Sequence, residues 1–140
     1  QLVVVQGGLR TLSREQALRA RAAMLAIATQ NNLPKTSAEI TFTDGYPAMA
    51  PTDGNQALLA LLSQASQDLG YGPVTAFDPG KRGAADISFV ARYVDALDGI
   101  GIEGRGAHAL NEEIDLNTLP MLIERAAVLM YRISQQGPLN

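Results

Sequence analysis

Histidine, the side chain most versatile in metal and proton chemistry, occurs once in this chain, at position 108. His108 follows Gly104 and Gly106 in a flexible, glycine-rich segment. A zinc site takes about three protein ligands or more, and the chain has no cysteine to supply a thiolate. Glu112 and Glu113 are too close to His108 in sequence to be reliable partners for it in a metal site. A solvated loop explains the two glutamates better. Residue type alone therefore favours a loop or surface role for His108 over a ligand role.

Arg10 is a second residue with possible chemistry, because it follows a candidate strand and the pair Gly7 and Gly8. An arginine at the end of a strand is most often a solvated charge. The functional alternative is a guanidinium fork that binds a substrate carboxylate through two parallel hydrogen bonds. The residues alone favour a solvated charge, and a carboxylate-binding role for Arg10 remains the alternative.

A third candidate is a short loop in which two cations, Lys81 and Arg82, precede the small residues Gly83 and Ala84. A helix is predicted to begin directly after this loop, near Asp86. Backbone N–H groups at a helix N-terminus, together with the helix dipole, can bind an anion. A plain loop with Asp86 as an acidic residue of the first helical turn explains the same pattern equally well.

The first fifty residues predict a β-α-β unit. Residues 2–9 are rich in β-branched side chains and predict a strand. Ser13 and Gln16 have the spacing of a capping box, and the apolar residues behind them predict a helix to about Asn31. Residues 38–43 alternate between apolar and polar side chains, which predicts a half-buried second strand.

The remainder of the chain begins with a Pro/Gly-rich stretch at residues 45–54, the best candidate for a domain boundary. A strongly apolar helix is predicted at residues 55–69, with Gly70 as the residue just past its end. The last helix is predicted to begin at Thr118 as its cap. Between these helices we predict short strands at residues 73–77 and 94–102 and a short helix at residues 84–91.

Composition excludes several classes of protein. The chain has 140 residues, of which 46% are hydrophobic and 18% charged, and this balance is typical of a globular domain with a core. A formal net charge of −3 and a sequence pI near 5.0 argue against nucleic-acid or anionic-membrane partners, which need clustered positive charge. The apolar runs are far shorter than the roughly 20 residues of a membrane span. The absence of cysteine does not distinguish a reducing from an oxidising compartment, so the location, cytoplasmic or periplasmic, stays open.

Three segments in this order resemble the C-terminal end of the aminoacylase/carboxypeptidase family of co-catalytic zinc hydrolases, and its glutamate carboxypeptidase branch in particular. They are residues 42–52 (FTDGYPAMAPT), residues 82–89 (RGAADISF), and residues 97–115, which contain LDGIG, GAH and EEID. The sequence departs from the family pattern at Ala84 and Ala85, where glycines and then Ser or Thr are common. It departs again at Ala109 and Leu110, where Thr-Pro or Ser-Pro is usual, so the substrate stays open.

The resemblance implies an α/β fold in two parts. Residues 1–49 would be the second half of a lid domain, a four-stranded antiparallel sheet with two helices that is often used for dimerisation. Residues 50–140 would be the C-terminal segment of a zinc-peptidase-like α/β catalytic domain. The chain opens on a predicted strand already under way, and we therefore expect it to be a fragment or a processed product.

The resemblance also assigns roles to the candidate residues. His108 matches a histidine that binds one of two zinc ions, and Arg10 matches the lid arginine that grips the substrate carboxylate. Gly83 and Ala84 match a small-residue loop whose backbone approaches the substrate, with Lys81 beside it. The family's other metal ligands and its catalytic glutamate would lie in an N-terminal half, so no catalytic residue is expected in this chain.

The implied activity is amide hydrolysis, in which two zinc ions activate a water and a glutamate takes its proton. The isolated chain is expected to be inactive and metal-free. The expected partners are the N-terminal half of the enzyme, a small peptide or N-acyl amino acid substrate, and a second copy of the chain. Two alternatives stay open: a non-catalytic binding or assembly module that keeps the Arg10 grip, and an α/β domain with no site of its own.

Overall fold

The computed structural model describes residues 1–30, 33–81 and 85–135. Its regular elements are three helices, two short 3-10 helices and one two-stranded antiparallel sheet. In chain order they are α1 (Arg14–Ala28), α2 (Asp53–Asp68), a 3-10 helix (Asp86–Phe89), β1 (Gly104–Arg105), β2 (Glu113–Ile114), a second 3-10 helix (Leu116–Thr118) and α3 (Leu119–Gln135). This mixture of helices with a small sheet is compatible with an α/β fragment.

Helix α1 begins at the predicted capping box. The Ser13 hydroxyl accepts a hydrogen bond from the Gln16 backbone N–H at 3.2 Å, and the Gln16 side chain accepts one from the Leu12 N–H at 2.7 Å. The first bond satisfies a backbone donor that the first turn leaves without a helical partner. The second reaches the N–H of Leu12, one residue before the cap, instead of the Ser13 N–H that a standard capping box would engage. The helix ends at Ala28, a few residues before the predicted end, and Asn31 lies outside the described residues.

The strands predicted at residues 2–9, 38–43, 73–77 and 94–102 are wrong, because none of these segments pairs with another in the described part of the chain. The β-α-β unit predicted from them is wrong for the same reason. Leu2, Val3, Val4 and Val5 are 74–87% exposed. β-Branched side chains favour an extended backbone, but a strand also needs a neighbour that pairs with its N–H and C=O groups.

Helix α2 begins at Asp53, two residues before the predicted start, and ends as predicted next to Gly70. Thr52 caps its start, since the hydroxyl accepts from the Asn55 N–H at 3.1 Å. At its end, Gly70 adopts a φ of +84°, which is favourable only without a side chain. The Tyr71 N–H then donates to the Ser66 carbonyl, and the Gly70 N–H donates to the Gln67 carbonyl, both at 2.9 Å. This pair of bonds is a Schellman motif, and it satisfies carbonyls that the last turn leaves free.

Helices α2 and α3 pack against each other and hold most of the buried apolar side chains among the described residues. These are Leu62 and Ala65 on α2, Leu122 and Leu129 on α3, and Ala96. The predicted Thr118 cap is wrong, because the Thr118 hydroxyl donates to the Asp115 carbonyl and the Asp115 carboxylate caps the 3-10 helix that leads into α3.

The chain divides into two compact units. One contains Gln1–Ala50 and Asp78–Arg92, and the other contains Pro51–Phe77 and Tyr93–Asn140. The first division falls between Ala50 and Pro51, within the Pro/Gly-rich stretch. The assignment of residues 1–49 to a lid and of residues 50–140 to a catalytic domain stays a prediction. No helix in the described ranges combines the length and the apolar character that a membrane crossing requires.

Candidate functional site

Arg10 lies in the extended segment that precedes α1 and is exposed. Within the described residues, no hydrogen bond or ion pair engages its guanidinium group. All five of its N–H donors are therefore open to solvent or to a ligand. A guanidinium group in this state can bind a carboxylate without first breaking an internal contact.

Lys81 ends a tight turn in which Asp78 is the organising residue. The Asp78 carboxylate accepts from the Gly80 N–H at 2.8 Å, and the Asp78 carbonyl accepts from the Lys81 N–H at 3.0 Å. The Lys81 side chain is exposed, and no partner engages it in the described ranges. Gly83 and Ala84, predicted to approach a substrate, lie outside the described residues.

His108 lies in the connection between β1 and β2 and is exposed. Its φ of +66° places it in the left-handed region, where an L-residue is disfavoured by about 1–2 kcal/mol. Two backbone hydrogen bonds hold this turn, from the Ala109 N–H to the Gly106 carbonyl at 2.9 Å and from the Glu112 N–H to the Ala109 carbonyl at 3.1 Å. The single histidine is thus held at the tip of a hairpin.

The strand pair next to this loop carries an ion pair that the sequence did not predict. Arg105 on β1 and Glu113 on β2 face each other in register, and two guanidinium nitrogens donate to one Glu113 oxygen at 2.7 and 3.0 Å. Both side chains are largely exposed, so the pair adds little stability and mainly favours one register. Their cross-strand pairing was not visible in sequence, since Glu113 there belongs to a solvated acidic run.

A second cluster lies in the unit that contains Arg10 and Lys81. The Tyr46 hydroxyl donates to the Asp86 carboxylate at 2.9 Å, and the Tyr46 ring lies against the Phe89 ring with centroids 5.1 Å apart. This bond to an ionised acceptor raises the pKa of the Tyr46 hydroxyl. Asp86 therefore has a specific partner in addition to its place in the first turn of a 3-10 helix of only four residues.

The same unit contains an arginine, Arg21, with two kinds of contact and one buried nitrogen that makes none within the described residues. Arg21 on α1 forms an ion pair with Asp44 at 2.5 Å, and its guanidinium lies 5.2 Å from the centre of the Phe42 ring. The Arg21 Nε atom is buried without a hydrogen-bond partner in the described residues. Phe42 and Asp44, at the start of the sequence motif of residues 42–52, therefore both contact Arg21 on α1.

Comparison with known proteins adds a family to this geometry. A sequence profile described as peptidase family M20/M25/M40 matches residues 3–132, which is nearly the whole chain. The chain belongs to peptidase family M20/M25/M40. The match supports the M20 family and not its glutamate carboxypeptidase branch in particular. No curated protein and no solved structure matches the chain.

Membership of the M20 family makes the chain part of a group of metallopeptidases, hydrolases that generally use metal ions and typically zinc. In residues 1–30, 33–81 and 85–135, no group of three or more His, Cys, Asp or Glu side chains could hold a metal ion. His108 alone therefore does not fit a zinc ion, since a stable site takes about three protein ligands or more.

The predicted M20 site residues are divided between the two compact units. Arg10 and Lys81 belong to one compact unit, and His108 belongs to the other. The polar contacts that shape their surroundings, Arg21–Asp44, Tyr46–Asp86 and Arg105–Glu113, join residues 8 to 40 positions apart in sequence. Pairs at such separations have no local spacing signal in a single sequence.

Proposed function

We propose that this M20 chain is the C-terminal portion of a zinc-dependent carboxypeptidase or aminoacylase that hydrolyses an amide bond next to a free carboxylate. The observation that carries the proposal is the exposed guanidinium group of Arg10, which no described side chain engages. Arginines that serve the fold have internal partners, and examples are Arg21, Arg105, Arg125 and Arg132. Arg19, like Arg10, makes no hydrogen bond or ion pair with the described residues, so the proposal also rests on the match of Arg10 to the family's lid arginine.

In the proposed reaction, Arg10 binds the carboxylate of a small peptide or N-acyl amino acid. The planar guanidinium presents two parallel donors to the two carboxylate oxygens, which fixes both the position and the orientation of the substrate. Lys81, which is also exposed and unpaired in the described residues, adds positive charge near the substrate loop to which the family resemblance assigns Gly83 and Ala84.

We further propose that His108 contributes one ligand to a metal site whose remaining ligands lie elsewhere in the enzyme. Its left-handed backbone and its place at the hairpin tip support this role, because strained residues persist where the surrounding structure holds them and cluster at functional sites. The described residues alone supply no complete metal site, and on this proposal the isolated chain does not catalyse the reaction.

The experiment that tests the carboxylate role compares Arg10→Ala with the unchanged protein in the active enzyme that contains this chain. The substrates are an N-acyl amino acid and its matching amide, which lacks the free carboxylate. Hydrogen bonds to charged groups contribute about 1.5–3 kcal/mol, so kcat/KM on the acid should fall by roughly one to two powers of ten. Arg10→Lys should recover part of this loss, because an ammonium group makes no planar two-point contact.

Arg19→Ala provides a matched control, since Arg19 is another exposed arginine of the same unit that makes no hydrogen bond or ion pair with the described residues and interacts only electrostatically with Glu15. It should leave kcat/KM unchanged on both substrates. Equal losses on the acid and the amide in Arg10→Ala, or a lower melting temperature without kinetic selectivity, would show that Arg10 serves the fold instead of the substrate.

A further inference from the structure

We infer that Asp98 is a site of spontaneous main-chain rearrangement, at which the aspartate closes to a succinimide and reopens in part as isoaspartate. The chain contains three Asp-Gly pairs, at residues 44–45, 53–54 and 98–99. Glycine is the follower that obstructs this reaction least, because it has no side chain next to the attacking nitrogen. Among the described residues, the third pair is the one that neither a helix nor an ion pair restrains.

The reaction uses the protein's own atoms and water. The Gly99 backbone nitrogen attacks the side-chain carboxyl carbon of Asp98, and the new C–N bond closes a five-membered imide. The amide proton and the carboxyl hydroxyl group leave together as one water molecule. Water then opens either carbonyl of the imide. One opening restores aspartate, and the other leaves the main chain running through the side-chain carbon.

Asp98 and Gly99 meet the geometric requirements of this closure. Both are exposed and lie outside every helix and strand. In the described part of the chain, no hydrogen bond engages the Asp98 carboxylate or the Gly99 nitrogen. The space around the Gly99 Cα atom is open, and its φ of +71° belongs to a bend that has no ladder or helical bond to break when it rotates.

The pair Asp53 and Gly54 is protected by its helix. Both residues lie in the first turn of α2, and the helical backbone turns the Gly54 nitrogen away from the Asp53 carboxyl carbon. The Asp95 side chain also packs directly against the Gly54 Cα atom, where even a methyl group would find no room. Closure at Asp53 would require the start of α2 to unfold.

Asp44 is protected by its ion pair instead of by a helix. Arg21 holds the Oδ1 atom of Asp44 at 2.5 Å, and the same guanidinium lies against the Phe42 ring. Rotation of the carboxyl group toward the Gly45 nitrogen breaks this contact.

A change at Asp98 would affect the route of the chain into the β1–β2 hairpin. Just upstream, the Ala96 N–H is held by the Asn55 side chain at 3.0 Å, which fixes the chain to α2. Isoaspartate adds one carbon to the main chain between this anchor and Gly104, where the hairpin begins. An aged sample should therefore contain two forms that differ in the segment leading to His108.

The test incubates the whole chain in mildly acidic buffer and maps isoaspartate by electron-transfer fragmentation, which gives diagnostic ions where the main chain has acquired the extra carbon. The folded protein should show isoaspartate at Asp98 several-fold above the levels at Asp44 and Asp53. In urea, where the helix and the ion pair are lost, the three sites should approach one another. The same ranking in both conditions, or equal levels in the folded protein, would overturn the inference.

Two variants sharpen the test. Asp98→Glu keeps the charge but would have to close a six-membered ring, so the signal at this position should disappear while the melting temperature stays the same. Arg21→Ala removes the guanidinium from Asp44, and isoaspartate at Asp44 should then rise toward the Asp98 level. An unchanged Asp44 level in a folded Arg21→Ala protein would show that the ion pair does not protect this site.

Discussion

Ser66 is the residue at which the polar contacts of the α2–α3 unit converge. It is completely buried, yet its hydroxyl donates to the Gly72 carbonyl at 2.6 Å and accepts from the Arg125 Nε atom at 2.9 Å. The Arg125 guanidinium also lies 5.6 Å from the centre of the Tyr71 ring, and the Tyr71 hydroxyl donates to Glu124 at 2.7 Å. One small hydroxyl thus links the end of α2 to α3.

Ser66→Ala should lower the free energy of unfolding by about 1–3 kcal/mol, because it leaves a carbonyl and a guanidinium N–H without their partner. Chemical denaturation followed by circular dichroism measures the change. The matched control is Ser134→Ala on α3. The exposed Ser134 hydroxyl donates to the Tyr131 carbonyl and accepts from the neighbouring Gln135 side chain, and its loss should have little effect because both contacts are local and exposed. Equal midpoints for the two variants would contradict the role assigned to Ser66.

The candidate site residues could be found from sequence only with the help of a family resemblance. His108, Arg10 and Lys81 are each ambiguous by residue type, and their roles stay proposals. The structure adds features that residue type cannot supply: the left-handed backbone at His108 and the unpaired guanidinium of Arg10 within the described residues. Such features depend on contacts between residues that are far apart in sequence.

At the scale of elements, helices α1 and α2 could be predicted because their signals are local. Ser13 and Thr52 act on residues three positions away, and Gly70 ends α2 through bonds that reach back at most five residues. The predicted strands were wrong because a β-branched run such as residues 2–5 indicates only an extended backbone. Whether it becomes a strand depends on a partner that local pattern does not identify.

Gly70→Ala should destabilise the protein by about 1 kcal/mol, since alanine at a φ of +84° brings its Cβ against the backbone. The change is read from the unfolding midpoint in denaturant. Gly101→Ala is the matched control, because Gly101 has no positive φ and nothing lies near an added Cβ. If the control lost as much stability as Gly70→Ala, the left-handed cap would not be the cause.

At the scale of the whole molecule, limited proteolysis should first cut near residues 48–52, where the first compact unit gives way to the second. A broad-specificity protease and mass spectrometry identify the site. The two fragments should separate on a denaturing gel but elute together under native conditions. The reason is that Asp78–Arg92 lies on the C-terminal fragment but packs in the same compact unit as Gln1–Ala50, so it should hold the two fragments together. Native separation of the fragments, or a first cut inside α2, would contradict this division.

The discontinuous units also set an order of events on the ribosome. The first unit cannot close until Asp78–Arg92 has been synthesised, and by then α2 has already been synthesised as well. Leu62 and Ala65 on α2 are then covered only when α3, which follows in the chain, has been synthesised. Because nascent apolar surface attracts chaperones and other unfolded chains, the interval between α2 and α3 is when this protein is most exposed to misassembly. Slower translation after Arg92 should lengthen that interval.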